Sequence, residues 1–296
     1  KTTSDENGDF TLNFDAEAKN SLVVSSAGYQ TEYISNFDID KELKIYLKPI
    51  AIVLKEVVIL NVKSDFTRME KLQLFREQFL GLTPNGKETI IQNEEDIYFK
   101  YDKGNYTLTA YSDSSLIILN PSLGYKIEYN LVSFEVQFSK FKLDSDYVIR
   151  SFYRGFSNFE EISNTNERVS SREKAYNGSE INFFRNLKNN IWGNDQFLLM
   201  VNDRNVSSSD CFKVFEKKAS VKIEVIPQQT DVRDLKAIAS YDIVYDKDEY
   251  SNITFETKDF NIYKYGNYSN IKNIILTGKI AKNRMGDMLP LNYNLN

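Results

Sequence analysis

Apolar and polar residues alternate along much of this chain, and the alternation marks strands. Near the start, Phe10-Thr11-Leu12-Asn13-Phe14 and Leu43-Lys44-Ile45-Tyr46-Leu47 repeat every second residue, the period that sends successive side chains to opposite faces of a sheet. Ser21-Leu22-Val23-Val24-Ser25 and Val53-Leu54-Lys55-Glu56-Val57-Val58-Ile59 read as two further strands. Asn7-Gly8 supplies residues that tolerate positive φ in a tight turn. The period then changes. Phe66, Met69, Leu72, Phe75, Phe79 and Leu80 recur at helical spacing over 64–80, with Ser64 or Asp65 placed to cap the helix and Gly81 to end it. Strands resume at 97–101, 106–111, 116–120, 125–138 and 147–156, with turns at Gly104-Asn105 and Asn120-Pro121. Residues 167–191 read as a helix in two pieces, broken near Asn177-Gly178. The remaining strands fall at 197–201, 212–216, 221–226, 237–245, 253–256, 260–265 and 274–280.

Composition narrows the classes of function. The 20 Phe and 19 Tyr reinforce the expectation of sheets, where flat rings pack across strands. The net charge is −5, and Lys and Arg are scattered, which argues against nucleic acid as a partner. The one short basic run, Glu216-Lys217-Lys218, reads as a solvated strand end. No apolar run reaches the roughly 18 residues a membrane-spanning helix needs, and the helical inserts and polar strand faces fit a transmembrane barrel poorly. Cys211 is the only cysteine, so neither an internal disulfide nor a cysteine zinc site can form.

Histidine is absent altogether. That removes Ser-His-Asp and Cys-His catalysis, His-based zinc sites and the commonest general base near neutral pH. Ser-x-x-Lys occurs at Ser171-Arg172-Glu173-Lys174 and Ser269-Asn270-Ile271-Lys272, at the frequency chance supplies and without companion motifs. Glu94, Glu95, Asp96, Glu160 and Glu161 are candidate acids for a carboxylate-dependent hydrolase, or simply solvated turn residues. Asp5 to Asp9 lacks the ligand spacing of a calcium loop, and a hairpin turn accounts for it. No cofactor or metal is implied. The residues of most interest are Arg168, Arg172 and Tyr176, four apart and on one face if helical, with Ser179 and Arg185 close by. Such a face can grip a carboxylate, a phosphate or a sugar. It can equally pair with Glu173 or Glu180, or anchor the helix on a sheet. Trp192 is a candidate sugar-stacking residue or a core filler. Asp287 is placed to pair with Arg284 and cap a turn.

Four stretches of the first 60 residues carry a resemblance. They are Thr3-Ser4-Asp5-Glu6-Asn7-Gly8-Asp9-Phe10-Thr11-Leu12, then Leu22-Val23-Val24-Ser25-Ser26-Ala27-Gly28-Tyr29, and Ile45-Tyr46-Leu47-Lys48-Pro49 with Leu54-Lys55-Glu56-Val57-Val58-Ile59. Together they resemble the carboxypeptidase-regulatory-like module, a transthyretin-type β-sandwich that is non-catalytic. Its usual opening strands are not among them, so the chain is expected to begin inside the module. Phe75-Arg76-Glu77-Gln78-Phe79-Leu80-Gly81, Asn93-Glu94-Glu95-Asp96-Ile97, Leu123-Gly124-Tyr125-Lys126-Ile127, Ala175-Tyr176-Asn177-Gly178-Ser179 and Arg284-Met285-Gly286-Asp287-Met288-Leu289-Pro290 resemble the C-terminal half of a Bacteroidota family that joins this region to such a module. The resemblance implies a mainly β protein: a partial transthyretin-like sandwich over 1–62, then a larger antiparallel β-rich domain over 63–296 with helices near 64–80 and 167–191. It also implies an exported protein, periplasmic or outer-membrane-associated. The expectation is a non-enzymatic protein that binds a protein partner, as an accessory subunit of an outer-membrane transport or assembly complex. Carbohydrate binding and carboxylate-dependent hydrolysis are the alternatives.

Overall fold

Residues 2–13, 22–24, 26, 29, 32–34, 42–49, 65–218, 220–228, 236–247 and 249–295 are described by the computed structural model. Among them the chain is mainly β, built from antiparallel sheets with a few helices. In the first 49 residues, Asp5 organises the turn: its Oδ1 accepts the N–H groups of Asn7 and Asp9, both at 2.9 Å. Strands β1 (Leu22–Val24) and β2 (Glu32–Ile34) pair antiparallel, and Tyr29 bridges to Pro49. Residues 43–47 keep the alternation, with Leu43, Ile45 and Leu47 half-buried and the residues between them exposed, but they join no described ladder. The strands expected at 10–14 and 53–59 lie partly and wholly outside the described residues.

Helix α1 (Arg68–Phe79) starts four residues later than the periodicity suggests. The cap is Thr67, whose Oγ accepts the Glu70 N–H at 3.2 Å, while the Glu70 carboxylate takes the Thr67 N–H at 2.7 Å. This reciprocal pair closes two donors that a helix start leaves open. Asp65 does not cap; it pairs with Lys103 at 2.6 Å. A short helix α2 (Pro84–Glu88) follows, with Pro84 in its first turn, where no N–H is needed.

Helix α1 lies on a six-stranded antiparallel sheet made of β3 (Ile90–Ile91), β4 (Ile97–Asp102), β5 (Thr107–Ser112), β6 (Leu116–Asn120), β7 (Tyr125–Phe138) and β8 (Val148–Glu161). The ring of Phe75 sits 4.6 Å from that of Phe134, and Phe79 meets Tyr129 and Tyr153 edge-on. The long β7 is the spine. One of its sides carries β6 on its first half and β5 on its second; β8 runs along the other side. A β-bulge at Val132 breaks the register between Leu131 and Ser133. Before it, the odd positions Tyr125, Ile127 and Tyr129 are buried; after it, the even positions Phe134, Val136 and Phe138 are. The extra residue therefore shifts the two-residue phase, and both halves of one strand face the same core. Gly155 of β8 packs beside Tyr129, where a Cβ would collide with the ring and with the Asn130 carbonyl.

Helices α3 (Asn166–Tyr176) and α4 (Glu180–Asn189) are the two expected pieces. Gly178 between them takes φ 72°, a conformation costly to residues with a Cβ. Beyond them lies a second core, a β-sandwich. One sheet has the order β10 (Arg204–Val206), β9 (Phe197–Val201), β13 (Ala239–Tyr245), β14 (Glu249–Phe255), β16 (Ile274–Gly278). The other has the order β11 (Phe212–Lys217), β12 (Ser220–Val225), β15 (Asp259–Tyr263), and a one-turn helix, α5 (Ser208–Cys211), leads into it. Their inner faces meet through Leu199, Tyr241, Ile243, Phe255, Phe260 and Ile262, and α4 adds Phe183 and Phe184. Cys211 is packed in this core, where burial pushes its thiol up to about 12, so it is an inert thiol.

The chain then returns to the first core, burying Met285 and Leu289 there. Asp287 was expected to pair with Arg284. Its carboxylate instead accepts from Thr83 Oγ1 at 2.7 Å and Asn85 Nδ2 at 2.8 Å, the start of α2. Short neutral donors at the cap reach it more directly than the long guanidinium does.

Candidate functional site

Arg172, Tyr176, Ser179 and Arg185 converge where α3 and α4 join the two cores. The Arg172 side chain is only 5% exposed. Its Nε donates to the Leu123 carbonyl at 2.7 Å, its Nη2 to the Ser163 carbonyl at 2.6 Å, and its Nη1 to Glu161 at 2.5 Å and Asn164 at 3.2 Å. The guanidinium also stacks over Tyr125, 4.2 Å from the ring centre. Every nitrogen is engaged, so this arginine ties α3 to the end of the first sheet.

Arg185 is buried in the same manner on α4. Its Nε donates to the Tyr265 carbonyl at 3.0 Å, and its Nη groups to the carbonyls of Leu291 and Tyr293, both at 2.7 Å, and to Tyr176 Oη at 3.3 Å. Tyr176 rests against Tyr293. Ser179 caps α4 by accepting the Asn182 N–H at 3.3 Å. Arg168 is half-buried and reaches the Ser122 carbonyl at 3.5 Å. Trp192 stands apart, half-buried, edge-on to Phe183, its indole N–H given to Asn190 Oδ1 at 3.1 Å. The structure thus gathers four of the six candidate residues and gives each a hydrogen-bond partner from within the chain.

A second polar group at this junction escaped the sequence patterns. The Tyr268 hydroxyl donates to the Glu180 carboxylate, which opens α4. Burial raises the Glu180 pKa above its ordinary value, and the Tyr268 bond and the nearby Arg284 offset part of that. Burial likewise raises Tyr153 to about 12, with Arg284 close to its ring. The anion at Glu180 sits at a helix N-terminus, where it is favoured.

Of the candidate acids, Glu94, Asp96, Glu160 and Glu161 each have a partner within the chain. Glu94 is clasped by Arg76, Glu161 by Arg172, and Asp96 accepts from Asn93 and Ser114. Among the described residues no cluster of three or more His, Cys, Asp or Glu side chains could hold a metal ion, and no helix is long and apolar enough to cross a membrane.

The feature that sequence periodicity could not expose is an edge. β8 pairs with β7 along its length, and no described strand takes its other side. At one end, Arg150 reaches Glu256 and the Lys272 carbonyl of the sandwich. Further on, Arg154, Ser157, Asn158, Glu160 and Glu161 are exposed.

No protein-family model matches the chain, and neither a curated protein nor a solved structure does.

Proposed function

We propose that this chain is a non-enzymatic protein of the cell envelope that recruits a protein partner, as an accessory subunit of an outer-membrane transport or assembly complex. The partner adds a strand along β8. The observation that carries this reading is the open edge: β8 is 14 residues long and presents its outer N–H and C=O groups to no described strand. Such an edge is a template for strand addition, with main-chain bonds giving affinity and side-chain pockets giving choice. The resemblance of the first 60 residues to carboxypeptidase-regulatory-like modules, and of the later motifs to a Bacteroidota envelope family, supports export and an envelope setting. The lack of histidine, and the engagement of the candidate acids by arginines and neutral donors, weigh against hydrolysis.

The test is site-specific photo-crosslinking in a Bacteroidota host. A photoreactive residue replaces Asn158 on β8 or, as a control, Tyr98 on β4. The expected result is a discrete adduct with an envelope protein from position 158 and none from position 98. Equal labelling from both positions, or recovery of the protein only as a free soluble monomer, would overturn the reading.

A further inference from the structure

The outer face of the larger sandwich sheet carries a row of side chains that the core does not use. Tyr241 and Ile243 on β13, and Ile253 and Phe255 on β14, point into the second core. By alternation, Asp242 and Asn252 between them point outward. Strand register then sets Met200, Asp242, Asn252 and Thr277 side by side across β9, β13, β14 and β16. Tyr250, two residues before Asn252, is 64% exposed, and Asp203 lies in the β9–β10 turn. These six residues help to line one open cavity of about 250 Å³, and no lysine or arginine is among its lining residues.

The lining has the chemistry of a site for hydroxyl groups. Asn252 is held in place: its Oδ1 accepts from Ser240 Oγ and Thr254 Oγ1, both at 3.0 Å, and its Nδ2 donates to Asp242 Oδ1 at 2.9 Å. That leaves one Asn252 N–H as a donor and Asp242 Oδ2 as an acceptor, neither with a partner among the described residues. A fixed donor beside a fixed acceptor matches two adjacent hydroxyls, one accepting from Asn252 and the other donating to Asp242. The Tyr250 ring offers a rigid, amphipathic surface for the C–H side of a sugar ring. Asp203 and Asp242, with no basic residue in the lining, repel phosphates and carboxylates. An ammonium ligand fits less well, because it only donates and cannot accept from Asn252. Small-molecule pockets begin at roughly 300 Å³, so the cavity suits one ring rather than a long ligand enclosed whole.

We propose that this cavity binds a neutral sugar, one ring of a glycan, with Tyr250 as the stacking surface and Asp242 and Asn252 as the pair that reads its hydroxyls. The inference is independent of strand addition at β8, which lies on the first sheet. It also differs from the sugar-stacking role considered for Trp192, whose ring packs edge-on to Phe183 instead.

The test is saturation-transfer NMR on the intact chain. The probes are the methyl glycosides of glucose, galactose, mannose and N-acetylglucosamine at millimolar concentration, with spermidine as a cationic comparison. Transfer is expected to at least one glycoside, strongest at its ring C–H protons. Tyr250→Ala is expected to weaken that binding at least about tenfold, and Tyr250→Phe, which keeps the ring, to hold it within about twofold. Asp242→Asn keeps an acceptor for Asn252 but loses the second carboxylate oxygen, and is expected to weaken binding about tenfold. The control Tyr98→Ala, at an exposed ring of the first sheet, is expected to leave it unchanged. Tyr250 and Asp242 are both exposed, so thermal melting of their variants should match that of the parent chain and separate lost binding from lost folding. Transfer to no glycoside, transfer to spermidine alone, or glycoside binding indifferent to both Tyr250→Ala and Asp242→Asn overturns the proposal.

Discussion

The two cores of this protein bury their aromatic rings by different means. In the first, a single sheet has one face closed by α1 and by the returning segment around Met285, and its facing depends on the phase of one long strand. In the second, two sheets of short strands close on each other and α4 wedges Phe183 and Phe184 between them. A sheet with one covered face leaves its other face polar and its long margin open. A sandwich spends both inner faces on its own core. The consequence is that the first core is sensitive to register and the second to the fit of individual side chains.

Deleting Val132 is the most severe way to break this contrast. Strict alternation then runs through β7, and one half of the strand turns its apolar residues to solvent. The expected outcome is loss of the cooperative unfolding transition and of near-ultraviolet circular dichroism. Next come Phe75→Ala and Phe183→Ala, both at fully buried rings. Each is expected to cost about 3–5 kcal/mol in denaturant unfolding. Only the first should also strip hydrogen-exchange protection from α1.

The two buried arginines sharpen the contrast at the junction. Arg172→Met and Arg185→Met each leave backbone carbonyls unpaired and are expected to cost about 2–3 kcal/mol. Arg172 alone also pairs with a carboxylate, and Glu161 is 45% exposed. Added salt should therefore shrink the cost of Arg172→Met and leave that of Arg185→Met unchanged. The smallest expected effect is at Glu180. Its folded pKa lies above the ordinary 4.5, so its contribution to stability is full below that pH and is lost as pH rises through the higher folded value. Glu180→Gln keeps an acceptor for Tyr268. It should flatten that part of the melting-temperature profile between pH 4 and 8.

Strand periodicity was legible where strands are long or flanked by clear turns. The alternation at 125–138 and the apolar run at 197–201 give β7 and β9 with their observed ends, and Gly178 marks the α3–α4 break. Elements of two to five residues, such as β3, α2 and α5, are too short to build a period. The start of α1 was readable by a different pattern: Thr67 and Glu70 have the spacing of a capping box, which outranks the nearer Ser64 and Asp65. The shared face of Arg172 and Tyr176 followed from helical spacing alone. Their partners did not, because Leu123, Tyr265, Leu291 and Tyr293 offer backbone carbonyls, which every residue type carries equally.

The clasp around Asp287 also bears on how the protein is made. Thr83 and Asn85 near the start of the first core wait for Asp287, Asn120 waits for the Gly286 carbonyl, and Arg185 waits for Leu291 and Tyr293. At typical synthesis rates roughly 100 residues intervene between α3 and this segment, on the order of ten seconds on the ribosome. Throughout that interval the first sheet is complete in its strands but lacks Met285 and Leu289 against its core. A nascent chain in that state shows apolar surface to chaperones. It acquires its finished form only once the last turns have been delivered.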